Sequence, residues 1–141
     1  MRKPAKEQAA LWLEQATADL AAAQWASQGK FFANACFGAQ QAAEKALKSV
    51  LYGAGERHVF GHSTLELAQR AAGLDARLGD EALLDACRRL DKHYLTTRYP
   101  NELPGSYPHA LYTRGEAEQA LSDARAVLDL CAAILAERFR G

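Results

Sequence analysis

The chain has 141 residues, 49 % of them hydrophobic, and its 17 lysines and arginines balance 17 aspartates and glutamates. This size and composition are typical of one globular domain spanning residues 1–141, and they exclude a disordered chain. The formal charge of zero argues against a dedicated duplex-DNA-binding protein, because such proteins usually carry a marked basic excess. The sequence has neither a run of about 18 apolar residues nor a signal-peptide core, so we expect a cytoplasmic protein without a membrane span.

Apolar residues recur at helical spacing over residues 6–28 and 31–52, which predicts the first two helices. Gly29 separates them, since glycine readily adopts the backbone conformation in which helices end. Gly53 and Gly55 are expected to end the second helix in the same way.

Capping residues predict where the next two helices begin. Residues 63–66, Ser-Thr-Leu-Glu, have the form of a capping box, in which the serine hydroxyl accepts from the glutamate amide and the glutamate side chain reaches back. This short third helix is expected to end at Gly73. Asp80, a favourable N-cap residue, predicts a fourth helix that runs to about Tyr94.

Residues 91–113 hold four of the five tyrosines, three of the four prolines and two of the four histidines. From about Leu95 onward we expect this stretch not to be helical. Long connections without secondary structure are uncommon in compact domains and are usually functional or disordered. Disordered segments are poor in aromatic residues. The sequence therefore predicts an ordered, functional loop.

Thr113 and Glu116 repeat the capping-box pattern and predict a last helix that runs to about Phe139. The chain thus contains four long helices and one short helix, with no β-alternating run and no internal repeat. We predict an all-α fold, a five-helix antiparallel up-and-down bundle.

Three cysteines, Cys36, Cys87 and Cys131, lie far apart in apolar helical patterns. Their odd number and their spacing predict neither a disulfide framework nor a metal site. We expect buried thiols in a reducing compartment.

The second predicted helix carries a polar strip. Gln40, Glu44 and Lys48 stand four residues apart on one face, and Gln41 and Lys45 lie on the adjacent face. One interpretation is a solvated face with a Glu44–Lys48 ion pair. The other is a surface that faces a ligand.

Two further features have both a structural and a functional interpretation. His62 precedes the N-terminus of the third helix, where free amides and the helix dipole suit an anion, although it is also compatible with an ordinary loop histidine beside a cap. Residues 88–98 contain three arginines and one lysine against Asp91, a local charge of +3. This cluster fits a phosphate site with tyrosines available for stacking, or a basic stripe that stabilises a helix C-terminus.

These motifs, in their order and spacing, resemble the HEPN domain (higher eukaryotes and prokaryotes nucleotide-binding). The similarity rests on Gln-Gln-Ala-Ala-Glu-Lys-Ala-Leu-Lys at 40–48, His-Ser at 62–63, and Leu-x-x-x-Tyr-x-x-x-Arg-Tyr-Pro at 90–100. Tyr-Thr at 112–113, followed by Ala-x-x-Ala-Leu at 117–121, also fits. The resemblance covers about residues 8–137 and points to the branch that contains Arg-Tyr-Pro.

The resemblance implies a five-helix bundle that forms a homodimer and is often encoded beside a minimal nucleotidyltransferase, in a toxin–antitoxin-like pair. It also implies nucleotide binding and, in many branches, metal-independent RNA cleavage by an Arg-x(4–6)-His motif that meets its copy across the dimer. No cofactor and no metal are expected. Candidate residues for the dimer face are Trp12, Trp25 and the loop.

Our leading hypothesis is a dimeric HEPN domain that binds a nucleotide or an RNA phosphate. The expected ligand-binding residues are Lys45, Lys48, His62, Ser63, Arg98 and Tyr99.

Two alternatives remain open. A metal-independent endoribonuclease would use Arg88 and His93 as its catalytic pair; Arg57 and His62 have the same spacing, but the position of Arg88 and His93 resembles the family's site more closely. A non-catalytic interaction module would instead bind a nucleotidyltransferase through the polar strip and the aromatic loop.

Overall fold

The computed structural model describes residues 3–100 and 105–140. Within these residues the chain is all-helical, with seven α-helices and one short 3-10 turn at Ala76–Gly79. The helices are α1 (Ala5–Gln28), α2 (Phe32–Gly53), α3 (Thr64–Ala71), α4 (Glu81–Asp91), α5 (His93–Thr96), α6 (Pro108–Leu111) and α7 (Arg114–Arg138).

The predicted all-α bundle is confirmed. Helices α1, α2, α3, α4 and α7 correspond to the five predicted helices, and their bounds agree with the prediction to within three residues. α2 lies at the centre, because it packs against α1, α3, α4 and α7. None of the helices in the described part of the chain is long and apolar enough to cross a membrane.

The central position of α2 follows from its small side chains. Ala35, Ala39, Ala42 and Ala46 are completely buried. At Gly38 the approach of α1 is so close that a Cβ atom would lie 2.9 Å from the Cβ of Ala23. Small residues therefore let these two long helices pack almost backbone to backbone.

The predicted end of the fourth helix is wrong in part. α4 ends at Asp91, and after Lys92 the chain forms the separate one-turn helix α5. The hydroxyls of Thr96 and Thr97 donate to the carbonyls of Lys92 and His93, each four residues earlier, and close this turn.

The prediction that residues after Leu95 are not helical is therefore also wrong in part. α5 extends to Thr96, and α6 forms a further turn that begins at Pro108, a residue favoured at the first helical position. Residues 101–104 of the predicted loop lie outside the described residues.

The three cysteines are buried and free, as expected. Burial raises the pKa of Cys36 to about 12 and that of Cys87 to about 11, and it raises the pKa of Cys131 further. The thiols are therefore protonated at neutral pH and serve as small apolar core residues.

Candidate functional site

Arg98 lies at the centre of a group of aromatic rings, which we call the Arg98 cluster: Arg98, Phe37, Tyr94 and Tyr99. The guanidinium carbon is 4.5 Å from the ring centroid of Phe37, 4.7 Å from that of Tyr94 and 5.1 Å from that of Tyr99. Its Nε donates to the carbonyl oxygen of Tyr94 at 2.9 Å. The rings hold the cation by cation–π attraction, and Arg98 remains an exposed residue.

His62 extends this cluster through its contact with Tyr94. The two rings are stacked, with centroids 4.9 Å apart and planes inclined by 17°. The His62 side chain is 61 % exposed, and its Nδ1 lies 3.2 Å from Oε1 of Glu44. The structure thus brings together His62, Arg98 and Tyr99, three of the six predicted ligand-binding residues.

The two predicted ligand-binding lysines lie on α2, and both are already paired. Lys45 Nζ is 2.5 Å from the carboxylate of Asp19 on α1. Lys48 Nζ is 3.3 Å from the carboxylate of Glu44, one turn earlier, and 5.7 Å from the ring centroid of Trp12. Arg98, by contrast, has no carboxylate partner among residues 3–100 and 105–140, so its charge is not compensated there.

The interpretation of the polar strip as a solvated face is wrong for the row formed by Gln40, Glu44 and Lys48. Gln40, Glu44 and Lys48 are 0 %, 4 % and 6 % exposed. Buried polar groups must be hydrogen-bonded to be tolerated, and these are. Gln40 Nε2 donates to the carbonyl of His62 at 2.7 Å, and its Oε1 accepts from Gln41 at 2.8 Å. The row therefore holds the loop that carries His62.

The N-terminus of α3, predicted as an anion site, is occupied by the protein's own Asp91. Its carboxylate accepts from the backbone amides of Thr64 at 2.8 Å and Leu65 at 3.1 Å. It also accepts from the hydroxyls of Ser63 at 2.8 Å and Thr64 at 2.7 Å. Asp91 thus satisfies this helix end. Of the predicted capping box only the first half forms, in which the Ser63 hydroxyl accepts from the amide of Glu66.

The structure separates the two predicted catalytic residues. Arg88 Nη1 lies 2.6 Å from Asp85 and 3.4 Å from Glu81, both on its own helix. His93 lies beyond the helix break, with Nδ1 3.1 Å from the hydroxyl of Tyr112. The two residues therefore belong to different helices, with the break at Lys92 between them.

The arginine on the His93 side is Arg89 instead. It forms two 2.9 Å bonds to the buried carboxylate of Asp123 on α7. Arg89, Lys92 and His93 line a cleft of about 300 Å³ together with Glu116 and other α7 residues. Burial lowers the pKa of His93, despite the opposing charge of Glu116, so that its imidazole is neutral near pH 7.

Sequence reasoning missed three residues that build this site: Phe37, Gln40 as a loop support, and Asp91 as a cap. Phe37 lies one helical turn before Gln41, and Asp91 follows Leu90 within the Arg-Tyr-Pro motif. Neither position in the sequence shows which residue the side chain contacts in the fold. In the described part of the chain, no three His, Cys, Asp or Glu side chains are grouped as a metal site requires.

Known proteins resemble this chain over most of its length. The family model described as the HEPN domain matches residues 9–135. The chain is also 29 % identical over 140 residues to a protein named putative toxin MJ1304, of Methanocaldococcus jannaschii. That alignment covers 93 % of this chain and 90 % of the relative.

Solved structures share the fold. TT1696 of Thermus thermophilus has a TM-score of 0.81 and 40 % identity, over 94 % of this chain and 98 % of its own. ST0689, an archaeal HEPN homologue, has a TM-score of 0.74 and 31 % identity, over 91 % and 98 %. A HEPN domain protein of Thermotoga maritima has a TM-score of 0.67 and 30 % identity, over 89 % and 97 %. Since the family model spans most of the sequence and the structures agree, the chain belongs to the HEPN domain family.

Proposed function

We propose that the chain binds the phosphate of a nucleotide or of RNA at the Arg98 cluster. The observation that carries this proposal is the charge of Arg98, which is exposed, surrounded by three aromatic rings and not paired with a carboxylate among the described residues. A guanidinium presents its N–H groups in a planar fork that matches a phosphate, and aromatic rings beside it can stack on a base.

The other predicted ligand-binding residues have supporting parts in this proposal. His62 presents an exposed imidazole beside Tyr94, and Ser63 holds the same loop through Asp91. Lys45 is half-buried and Lys48 is buried on α2, and Asp19 and Glu44 already offset their charges. We therefore expect Arg98 to contribute more to phosphate binding than either lysine.

Titration of the purified chain with ATP and with short single-stranded RNA tests the proposal. We expect Arg98→Ala to weaken binding about ten-fold, within the range for a charge-assisted hydrogen bond. The affinity of Arg98→Lys should fall between those of wild type and Arg98→Ala, because lysine keeps the positive charge but lacks the planar fork of N–H donors. Arg125→Ala, at an exposed position on α7, is the matched control. Equal affinity of Arg98→Ala and wild type would refute the site.

We further propose that the chain forms a homodimer and pairs with a minimal nucleotidyltransferase in a toxin–antitoxin-like system. The support is the HEPN family match and the relative that is named a putative toxin. Trp25, with 75 % of its surface exposed, is a stronger dimer candidate than Trp12, which stacks on Tyr52. Sedimentation analysis of wild type and Trp25→Ala tests the dimer, and co-purification with a neighbouring nucleotidyltransferase tests the pair.

A second candidate function is metal-independent RNA cleavage with Arg88 and His93. The observation in its favour is the position of His93 in a cleft beside Arg89 and Lys92; burial also lowers its pKa, which favours the form that a general base needs. The assay is RNA incubation in EDTA with wild type, His93→Ala, Arg88→Ala and Arg89→Ala. Cleavage that is lost in His93→Ala and Arg88→Ala supports this function; no cleavage, or cleavage that His93→Ala leaves unchanged, refutes it.

A further inference from the structure

The imidazole of His93 is the end of a chain of three hydrogen bonds. Its Nδ1 lies 3.1 Å from the hydroxyl of Tyr112, the residue that follows α6. That hydroxyl lies 2.6 Å from the hydroxyl of Thr96. The Thr96 hydroxyl in turn lies 2.7 Å from the carbonyl oxygen of Lys92, four residues earlier. The four groups are linked in series, so the direction of each bond constrains the next one.

Counting protons sets the direction of all three bonds. A backbone carbonyl can only accept, so the single proton of the Thr96 hydroxyl is donated to Lys92. Toward Tyr112 the Thr96 oxygen then accepts, and the phenolic proton points at Thr96. The Tyr112 oxygen has no second proton, so it accepts from His93, whose Nδ1 must carry the hydrogen. Neutral His93 then has its lone pair on Nε2.

Packing around the two rings favours this arrangement. Burial raises the pKa of Tyr112 above its ordinary value of 10, so the phenol keeps its proton at neutral pH. The rings of His93 and Tyr112 meet edge to face, with centroids 5.4 Å apart and planes inclined by 62°. The hydrogen bond and the ring contact therefore orient the imidazole together.

The charged groups around His93 leave its Nε2 available. Glu116 and Asp123 on α7 attract a proton to the imidazole, and Lys92 repels it. Glu116 is engaged in the capping box of α7, and Asp123 accepts from Arg89. Within residues 3–100 and 105–140, no hydrogen bond involves Nε2 of His93. Since the ring lines the cleft, Nε2 is the imidazole nitrogen that a ligand in the cleft can reach.

We propose that Thr96 and Tyr112 are positioning residues, which fix neutral His93 as its Nδ1–H tautomer and leave the lone pair of Nε2 open to the cleft. The catalytic use of that lone pair rests on RNA cleavage, the second candidate function.

In that reaction, Nε2 takes the proton of a ribose 2′-hydroxyl while the 2′-oxygen bonds to phosphorus and the bond from phosphorus to the 5′-oxygen breaks. The leaving 5′-oxygen takes a proton from water, and the imidazolium returns its proton to the hydroxide that remains. The Nδ1–H group of His93 stays bonded to Tyr112 throughout, so the ring need not turn between the neutral and the charged form.

Nitrogen-15 NMR of the histidine side chains in the full chain tests the tautomer, because protonated and unprotonated ring nitrogens differ in chemical shift. His93→Gln identifies the signals that belong to His93. At about pH 8, above the ordinary histidine pKa of 6.5, wild type should carry the hydrogen on Nδ1. A wild-type spectrum with the hydrogen on Nε2 overturns the proposal.

Two substitutions of nearly unchanged shape break the chain at different points. Tyr112→Phe removes the acceptor for Nδ1–H, and Thr96→Val releases the Tyr112 proton for donation to Nδ1. In both variants the Nδ1 signal should move from the protonated toward the unprotonated position. Thr97→Val is the matched control, because it removes a hydroxyl that donates to the carbonyl of His93 in the same turn. Unchanged signals in both variants, or an equal change in Thr97→Val, overturn the positioning role.

RNA cleavage in EDTA by the same variants separates this inference from the function on which it rests. Tyr112→Phe and Thr96→Val should lower kcat about ten-fold, because a misdirected base loses part of what a positioned one contributes. Thr97→Val should cleave like wild type. Wild-type rates in Tyr112→Phe overturn the catalytic consequence of the tautomer. An absence of cleavage by wild type refutes the second candidate function, and the NMR spectra still decide the tautomer.

Discussion

Arg88 and Arg98 belong to the same basic stretch of the sequence, but the structure treats their charges differently. Arg88 is held by Asp85 and Glu81 on the outer face of α4. Its neighbour Arg89 is held by the buried Asp123. Arg98, beyond the helix break, lies against aromatic rings and has no carboxylate partner in residues 3–100 and 105–140.

Basic residues that are near one another in the sequence are therefore not equally available to a ligand. A phosphate that approaches Arg88 or Arg89 must compete with carboxylates that are already within hydrogen-bond distance. Within residues 3–100 and 105–140, a phosphate that approaches Arg98 meets ring faces and no carboxylate already bound to it. Compensated and uncompensated charge should therefore give different results under mutation.

The largest effect on stability is expected at Asp91, whose carboxylate accepts hydrogen bonds from four donors. Asp91→Ala removes the acceptor for two amides and two hydroxyls at the start of α3. Because these donors are partly buried, we expect the free energy of unfolding to fall by about 2–4 kcal/mol. Urea denaturation measures it, with the exposed Asp129→Ala as control. A loss below about 1 kcal/mol would contradict the cap.

Arg89 and Arg88 form a matched pair for the next effect. Arg89→Ala leaves the buried carboxylate of Asp123 with Gln119 as its remaining side-chain partner, and should cost about 1–2 kcal/mol of stability. Arg88→Ala breaks only exposed ion pairs and should cost less than about 0.5 kcal/mol. Denaturation of both variants at the same ionic strength compares them; equal costs would show that the two arginines are equivalent.

Salt dependence distinguishes Arg98 from Arg88 in RNA binding. If Arg98 neutralises a phosphate, Arg98→Ala should reduce the slope of log affinity against log salt concentration by about 0.7, the value for one contact to a single strand. Arg88→Ala should leave the slope unchanged, since its charge is already offset. Fluorescence anisotropy over a salt series gives both slopes. A slope that falls in Arg88→Ala and is unchanged in Arg98→Ala would contradict the Arg98 site and indicate a phosphate contact on α4.

The smallest effect concerns pH and His93. Burial lowers the pKa of His93 in the folded chain below its ordinary value of 6.5, although Glu116 and Asp123 oppose this shift. The unfolded chain then binds the proton at higher pH than the folded chain, so His93 destabilises the fold as pH falls below about 6.5. Wild type should lose more stability between about pH 7 and pH 5 than His93→Gln. Parallel pH dependences of the two proteins would contradict the shift.

Much of the fold could be predicted because its signals are local. The capping box of Thr113 and Glu116 is present with both of its bonds, and Asp80 caps α4 through the amide of Ala82. Helical spacing predicted the extents of α2 and α7 to within one residue. The break at Lys92 was not predicted, since apolar spacing continues through Tyr94 and no glycine or proline marks the end of α4.

The site was less predictable, because its pairings join distant parts of the chain. Asp91 meets Thr64 across 27 residues, and Arg89 meets Asp123 across 34. Helical periodicity places Gln40, Glu44 and Lys48 on one face but does not say which neighbour covers that face. The loop that carries His62 contacts Gln40 and Glu44, and Trp12 of α1 lies beside Lys48.

The helices, most of their ends, the all-α class and the resemblance to the HEPN domain could be read from the sequence, because propensity, capping and spacing act within a few residues. Ion pairs within one helix, such as Glu44 with Lys48, are local in the same sense. The pairs between helices, such as Lys45 with Asp19 and Arg89 with Asp123, depend on distances of about 3 Å that only the packing of α1, α2, α4 and α7 establishes.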